Sequence, residues 1–494
     1  MKKLAIISTF ILSLAATSCN SYLDINESPN SPKESDLNAS ILFPAAEMNL
    51  AGSYGDYLRI TGGYYAQYYV QSFGTSNYLD YSQFEQSATR SSSTYTQLNA
   101  RALKNLQLVR EIASQKEEWG DYLAATVLRA FTYQVLVDCY GEVPYTEALD
   151  ATNPTPHYDD GKTIYTGILS ELDEALSYAK SSDRVCTNFL FSGQTADSWI
   201  KFANALKLKI YSRMGGSDAQ IAAIINEGNL PSGDIAYEGC WSNEKGHYSP
   251  FYAEEFATDW GSNQINVVAN VAIIGTMQQS AYTDARMSVY FKPNSDGQYV
   301  GGISGTNFST SKSYKSGYWC RPVASFDMPV YLITEAETEF FIAEYYARTG
   351  NAAQAEAHYN AAVEASFATA GVGGAAGFIA QWPYDQSNYK KSIGIAKWIA
   401  MAGVNPFEGY CELRRLRYPA FGEVKGSDMY NETDDSSFQP DLYKPGTLYT
   451  PIKVFGPVGD DHLLERWPYA ESSSARNSNT PAFPGYTTPI FWAQ

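Results

Sequence analysis

The chain is poor in the residues from which most active centres are built. Its four histidines, His157, His247, His358 and His462, lie far apart, and no two share a helical face. Nothing in that pattern supports a histidine metal site or a Ser-His-Asp triad. Cysteine is scarce too, with six residues and no C-x-x-C pair. Setting Cys19 aside leaves Cys139, Cys186, Cys240, Cys320 and Cys411, an odd and scattered set. That set fits neither a zinc site nor a disulfide framework and is better read as buried free thiols. Positive charge is in deficit: 35 Lys and Arg stand against 53 Asp and Glu, for a formal charge of -18. Such a surface repels phosphate backbones, which argues against nucleic acid as a partner. Past the first residues there is no apolar run of the roughly 18 residues needed to span a bilayer as a helix.

What is present begins with a leader. Met1-Lys2-Lys3 is positive, the stretch from Leu4 to Ala15 is apolar, and small residues then lead to Cys19. A positive start, an apolar core too short to span a bilayer and a small-residue cleavage site describe a secretory signal over residues 1–18. Ala16-Thr17-Ser18-Cys19 resembles a lipobox, after which the new N-terminal cysteine is acylated and anchored. Residues 19–35, rich in Asn, Ser, Pro and Asp, are expected to be a tether. Hydrophobic residues make up 44% of the chain, enough for a large core. Tyrosine is abundant at 39 residues, joined by 9 Trp and 23 Phe, a stock of flat rings with one polar edge.

Helical periodicity dominates after the tether. Tyr57, Tyr64, Tyr65, Tyr68 and Tyr69 are spaced to fall on one face of a helix and are expected to pack. Residues 98–118 and 122–139 are predicted as amphipathic helices separated by Trp119-Gly120-Asp121, and 164–180 and 196–214 as a further pair. The clearest hairpin pairs 334–348 with 353–367 around Gly350-Asn351. Small alanines where the two helices meet make it similar to a tetratricopeptide unit. Residues 228–329 are instead rich in Gly, Ser, Asn, Tyr and Trp, with one helix expected over 267–279. From Gly422 onward, proline and glycine predict ordered loops packed over the helices. No linker divides the chain, so 36–494 is expected to form a single domain with a loop-rich insertion at about 228–329.

Motifs for chemistry fail on context. The glycines of 371–377 follow a helix, not a strand, so a dinucleotide cradle is excluded. The loop Asn294-Ser295-Asp296-Gly297 places Lys292 at the first position of a calcium loop, where a cation is repelled. Glu254-Glu255, Asp434-Asp435 and Asp460-Asp461 are neighbours in sequence and are read as solvated charge. A glycosidase needs two carboxyls facing one bond, which adjacency does not supply.

Four segments carry a resemblance to the SusD/RagB family of nutrient-binding outer-membrane lipoproteins. They are Ser18-Cys19 with Tyr22-Leu23-Asp24-Ile25-Asn26 and Pro29-Asn30; Asp138-Cys139-Tyr140-Gly141-Glu142-Val143-Pro144-Tyr145-Thr146-Glu147-Ala148-Leu149; the late hairpin running on to Lys397-Trp398-Ile399-Ala400 and Glu412-Leu413-Arg414-Arg415; and Arg466-Trp467-Pro468-Tyr469-Ala470-Glu471 with Asn477. The resemblance implies a mainly α fold, with tetratricopeptide-like helical pairs as a scaffold and a loop-rich face carrying a few short strands. It implies a lipid-anchored lid at the cell outer membrane, seated on a SusC-like TonB-dependent transporter, with no cofactor and no catalysis. The ligand it implies is an oligosaccharide or, in some members, an oligopeptide. A secreted glycoside hydrolase and a surface adhesin are the competing classes.

Sugar rings stack on flat aromatics while their hydroxyls seek polar edges. Loop-borne rings are therefore the candidates for ligand contact: Tyr78, Tyr81, Trp241, Trp260, Tyr318 and Trp319, with Arg321 beside the last pair. Each of them also suits an irregular core or a contact with the transporter.

Overall fold

The computed structural model describes residues 38–258, 265–309, 311, 314–315, 317–432 and 438–493. The leader, Cys19, the tether, Trp260 and Asp434-Asp435 lie outside the described residues. Helix α1 (Ala39–Ser53) continues through a π-helical turn, Tyr54–Leu58, into α2 (Arg59–Tyr65). Tyr64 and Tyr65 are buried at its end, as their spacing predicts. Tyr68 and Tyr69 are buried as well but lie beyond the helix, because Gln67 turns to φ +55 and Tyr69 opens strand β1 (Tyr69–Gln71).

A second π turn, Gln97–Leu103, leads into α3 (Lys104–Lys116), and Glu117 in the left-handed region ends that helix. Helix α4 starts at once and runs Trp119–Tyr140, so Trp119-Gly120-Asp121 is its first turn and not a separator. Gly120 is required there because the Arg184 carbonyl occupies the place of a Cβ. Sequence periodicity predicts α4 to be amphipathic, yet every residue from Gly120 to Tyr140 is buried. A helix apolar nearly all round belongs in the middle of a fold, and α4 is the central one. Gly141, at φ +79, stops it and donates its N–H to the Val137 carbonyl at 2.8 Å.

Helices α5 (Gly161–Tyr178) and α6 (Asp197–Met214) follow and pack on α4. Strand β2 (Ile235–Tyr237) and the short helix α7 (Pro250–Glu255) open the loop-rich stretch. The helix expected over 267–279 is shorter. Val267–Ala269 is strand β3, held extended by antiparallel pairing with β1 (Tyr69 opposite Ala269), and Asn270 then caps α8 (Val271–Met277) by accepting from Ala272 N–H at 2.9 Å. Strand β4 (Val330–Ile333) pairs antiparallel with β2.

The late hairpin forms as read. Thr334 accepts from Glu337 N–H to start α9 (Glu335–Arg348), Gly350 turns at φ +83, and Asn351 caps α10 (Ala352–Thr369). Phe340, Ala343, Tyr359, Ala362 and Phe367 are buried in and around it. Helices α11 (Tyr389–Met401) and α12 (Pro406–Leu416) form another pair, and strands β5 (Ala420–Lys425) and β6 (Thr447–Thr450) run parallel after them. The fold is thus mainly α: tetratricopeptide-like pairs form the scaffold, and among the described residues the strands pair only two by two. One hydrophobic core extends from Ala39 to Ala493. Cys139, Cys186, Cys320 and Cys411 are buried free thiols, and Cys240 is half-buried.

Three of the four segments that carry the resemblance meet at the end of α4. Arg414 donates to the Glu465 and Asp138 carbonyls at 2.7 and 2.9 Å, Trp467 N–H donates to the Cys139 carbonyl at 2.9 Å, and the Tyr469 hydroxyl reaches Glu142 at 2.9 Å. A Cβ on Gly141 would sit 2.8 Å from the Arg466 guanidinium carbon. The Trp492 indole N–H closes the same junction by donating to Asp138 Oδ1 at 2.9 Å. These motifs hold the scaffold shut.

Candidate ligand-binding site

Two cavities open on either side of the β1–β3 ribbon. The first is a cleft of about 810 Å³. Its walls come from the end of α1 and the first π turn (Ser53, Asp56, Tyr57), from Asn77, from residues 93–101, and from the loop and helix that carry Trp241, Tyr248, Glu254 and Glu255. Both π turns among the described residues border it: Asp56 and Tyr57 belong to one, Gln97 and Arg101 to the other. A π turn is rare and recurs at functional sites, because the extra residue re-aims side chains that a regular helix would carry past the site. Gly55 lets this turn approach β4, where a Cβ would lie 2.6 Å from Val330 Cγ2.

The floor is aromatic. Tyr78 stacks on Tyr81 with centroids 5.6 Å apart and planes 12° apart, and the Tyr81 hydroxyl lies 3.3 Å from that of Tyr57. Tyr81 is 1% exposed and backs the wall, whereas half-buried Tyr57 and Trp241 line the cleft itself. The Trp241 indole is fixed by donating to the Tyr237 carbonyl at 3.2 Å. The Tyr78 hydroxyl faces Glu254, 3.5 Å from its Oε1.

The acidic residues here correct the sequence reading. Glu255, expected to be solvated, is 5% exposed. Its Oε2 accepts from Asn266 N–H at 3.3 Å, and its Oε1 has no hydrogen-bond partner. Burial pushes its carboxyl up to about 6. Asp56 is held well above the ordinary carboxylate value, first by burial and then by the charges of Glu254 and Glu255. Sequence adjacency gave no sign of this, since burial is decided by the distant π turn of 54–58. Asp460 and Asp461, by contrast, are exposed as expected.

The second cavity, about 440 Å³, is lined by Phe73, Thr75, Lys292, Asn294, Trp319 and Arg321, among others. Lys292 and Arg321 pair across a two-stranded antiparallel ladder, which makes this side positive where the first is negative. Trp319 is 2% exposed and sits in an aromatic cluster, 4.8 Å from Phe308 and 5.4 Å from Tyr314. Tyr318, 38% exposed, stands edge-on to it, and its carbonyl accepts from Asn294 Nδ2 at 3.0 Å. Ile265 lines this cavity and its neighbour Asn266 the other; Thr75 and Asn77 divide likewise. The structure thus puts Trp241 in the lining of the acidic cleft, with Tyr78 buried behind it against Glu254, and Trp319 and Arg321 in the lining of the basic cavity, with exposed Tyr318 beside them. Asp56 leaves no trace in the sequence pattern because a π turn gives no periodic signal, while Tyr57, expected to pack, and Glu255, expected to be solvated, both line the cleft.

A family model described as SusD-like, starch-binding and associating with the outer membrane matches residues 29–439. No curated protein matches the chain. Among solved structures, a SusD homologue from Bacteroides uniformis is 21% identical with a TM-score of 0.70, over 92% of this chain and 99% of that one. A homologue from Bacteroides vulgatus is 17% identical, with a TM-score of 0.71 over 92% and 97%. A chitin-binding SusD homologue from Flavobacterium johnsoniae is also 17% identical, with a TM-score of 0.71 over 92% and 98%.

Proposed function

We propose, from the premise that this chain belongs to the SusD-like family, that it is a nutrient-binding lipoprotein of the outer-membrane surface. Acylated Cys19 anchors it, oligosaccharide is captured between the two loop-borne cavities, and the cargo passes to a SusC-like TonB-dependent transporter on which the helical pairs rest. No helix of the described residues is long and apolar enough to cross a membrane, so in this reading the lipid holds the protein in place. The observation that carries the ligand site is the convergence of both π turns on one cleft, with the rings of Tyr57 and Trp241 and the polar edges of Asn77, Gln97 and Arg101 around it. Rings for C–H faces and a few polar groups for hydroxyls are what a sugar site needs. Tyr318 and Arg321 extend the same surface on the far side of the ribbon, and Tyr81 and Trp319 stiffen its walls.

Fatty-acid labelling with membrane fractionation tests the anchor: Cys19→Ala is expected to release the protein unlabelled, and a labelled variant refutes the assignment. An array of neutral and charged oligosaccharides and of peptides tests the ligand. Binding to peptides alone moves the lid to the oligopeptide branch.

One observation favours a second reading. Asp56, Glu254 and Glu255 share a cleft, and a hydrolase needs paired carboxyls. A retaining or inverting pair, however, keeps one carboxylate ionised beside one acid. Here Asp56 and Glu255 are both shifted upward, which leaves the exposed Glu254 as the partner such a pair would need. Reducing-end release from the bound oligosaccharide separates the two readings: the binding protein is expected to give none.

A further inference from the structure

We propose that the acidic cleft selects ligands carrying protonated amines, specifically an amino-sugar oligomer such as deacetylated chitin, over neutral glycans. The inference rests on the binding reading above and narrows its substrate class. Three carboxyl side chains, Asp56, Glu254 and Glu255, line the cavity. Glu255 is buried with its Oε1 unpartnered, and the groups that ease its burial, the Tyr78 hydroxyl and Asn266, carry no charge. The chain carries no lysine or arginine between Pro250 and Ala285 that could supply the missing charge. Arg101 is the cation lining the cleft among the described residues, and its side chain is exposed.

A compact metal ion does not answer this pattern, because no three acidic, histidine or cysteine side chains among the described residues are grouped so as to hold one. Ammonium groups spaced along an oligomer do answer it. Each would meet a carboxylate in a half-desolvated cleft, where a charge-assisted hydrogen bond is worth more than at the surface. The rings of Tyr57 and Trp241 would face the rest of the sugar and, through cation–π attraction, the amines themselves. The raised carboxyl of Glu255 fits the same picture, since an ammonium neighbour would draw it back toward its ordinary value.

Calorimetry on the full-length protein in detergent, at about pH 6 where amines stay protonated, compares a β-1,4-linked glucosamine hexamer with its fully N-acetylated counterpart. The glucosamine hexamer is expected to bind at least about tenfold tighter at low salt, and the advantage is expected to shrink at high salt. In the triple variant D56N/E254Q/E255Q the ratio of the two affinities is expected to fall toward one. Should that variant fail to fold, E254Q alone is expected to lower the ratio severalfold. Equal affinities in the unmodified protein, or an unchanged ratio in a folded variant, overturn the inference. A lysine hexamer that outbinds the glucosamine hexamer overturns it in favour of basic peptides. If the acetylated hexamer binds and the amines add nothing, selectivity falls while the nutrient-binding reading stands. If no oligosaccharide binds, both fall.

Discussion

Two of the places where the protein buries carboxylates invite comparison, the interior of the helical scaffold and the acidic cleft. Inside the scaffold, Asp138, Glu337, Glu408 and Glu412 are met by Lys209, Arg213 and Lys397 from other helices. Arg213 lies 2.6 Å from both Asp138 and Glu408 and 3.2 Å from Glu412, while Lys209 lies 2.7 Å from Glu337 and 3.0 Å from Glu408. Burial alone would raise the Glu408 carboxyl, yet Arg213 and Lys209 hold it below its ordinary value. In the cleft, Glu255 is as well buried and has no cation, and its carboxyl rises instead. Burial still raises Asp138 and Glu337, the latter to about 7, so the scaffold cations outweigh burial at Glu408 and Glu412, whose carboxyls fall below the ordinary value. Where cations from neighbouring helices meet them, the carboxylates register helices against each other; Glu255, like the fully buried Glu47, has no such cation, and of the two Glu255 lines the cleft.

The comparison breaks most visibly if the scaffold loses a cation. Arg213→Met strands Asp138 and takes one of their cations from Glu408 and Glu412, and is expected to cost roughly 3–5 kcal/mol in denaturant unfolding. An unchanged midpoint would mean that the network is not doing structural work. The cleft predicts the opposite sign. Glu255→Gln removes an uncompensated charge and is expected to stabilise the unliganded protein at neutral pH by about 2 kcal/mol. Because its folded carboxyl titrates at about 6 against an ordinary 4.5, the unmodified protein binds the extra proton in the folded state and loses stability as pH rises between those values. The gain from the substitution is therefore expected to be absent below that window and complete above it, read as the difference in melting temperature across pH. Trp241→Ala leaves both charge sets intact and is expected to cost about 1 kcal/mol of oligosaccharide affinity, with the melting temperature nearly unmoved, since this ring is only half-buried. Glu423→Gln, which breaks the exposed pair with Lys444, is expected to change nothing measurable in unfolding.

The scaffold was largely legible because helical packing writes a local period. The hairpin around Gly350-Asn351 carries its caps, its turn and its alanine seam within 35 residues of sequence. The end of α4 at Gly141 was legible for the same reason. Where long-range pairing overrides the period, the reading failed: Val267–Ala269 is apolar enough for a helix but is drawn into a ribbon by β1, some 200 residues away. The all-round burial of α4 was also missed, since it depends on α3, α5 and α6 closing over a face that the pattern leaves ambiguous. The cleft was half legible. Trp241 stands out in the sequence as a ring in a polar loop and does line the cleft, whereas Asp56 and Glu255 acquire their character only when residues 53–57, 77, 93–101, 241–257 and 266 are brought together.

The junction at Asp138 has a consequence for the order of folding. Trp492, Ile490 and Ala493 are among the last described residues, yet they seal the middle of the molecule, with the Trp492 indole on Asp138 and the Arg213 and Arg414 guanidiniums over its ring at 5.3 and 5.1 Å. A chain synthesised from its amino end makes every helix of the scaffold before this keystone, and until the stretch docks the buried ion pairs around Asp138 lack their indole cover.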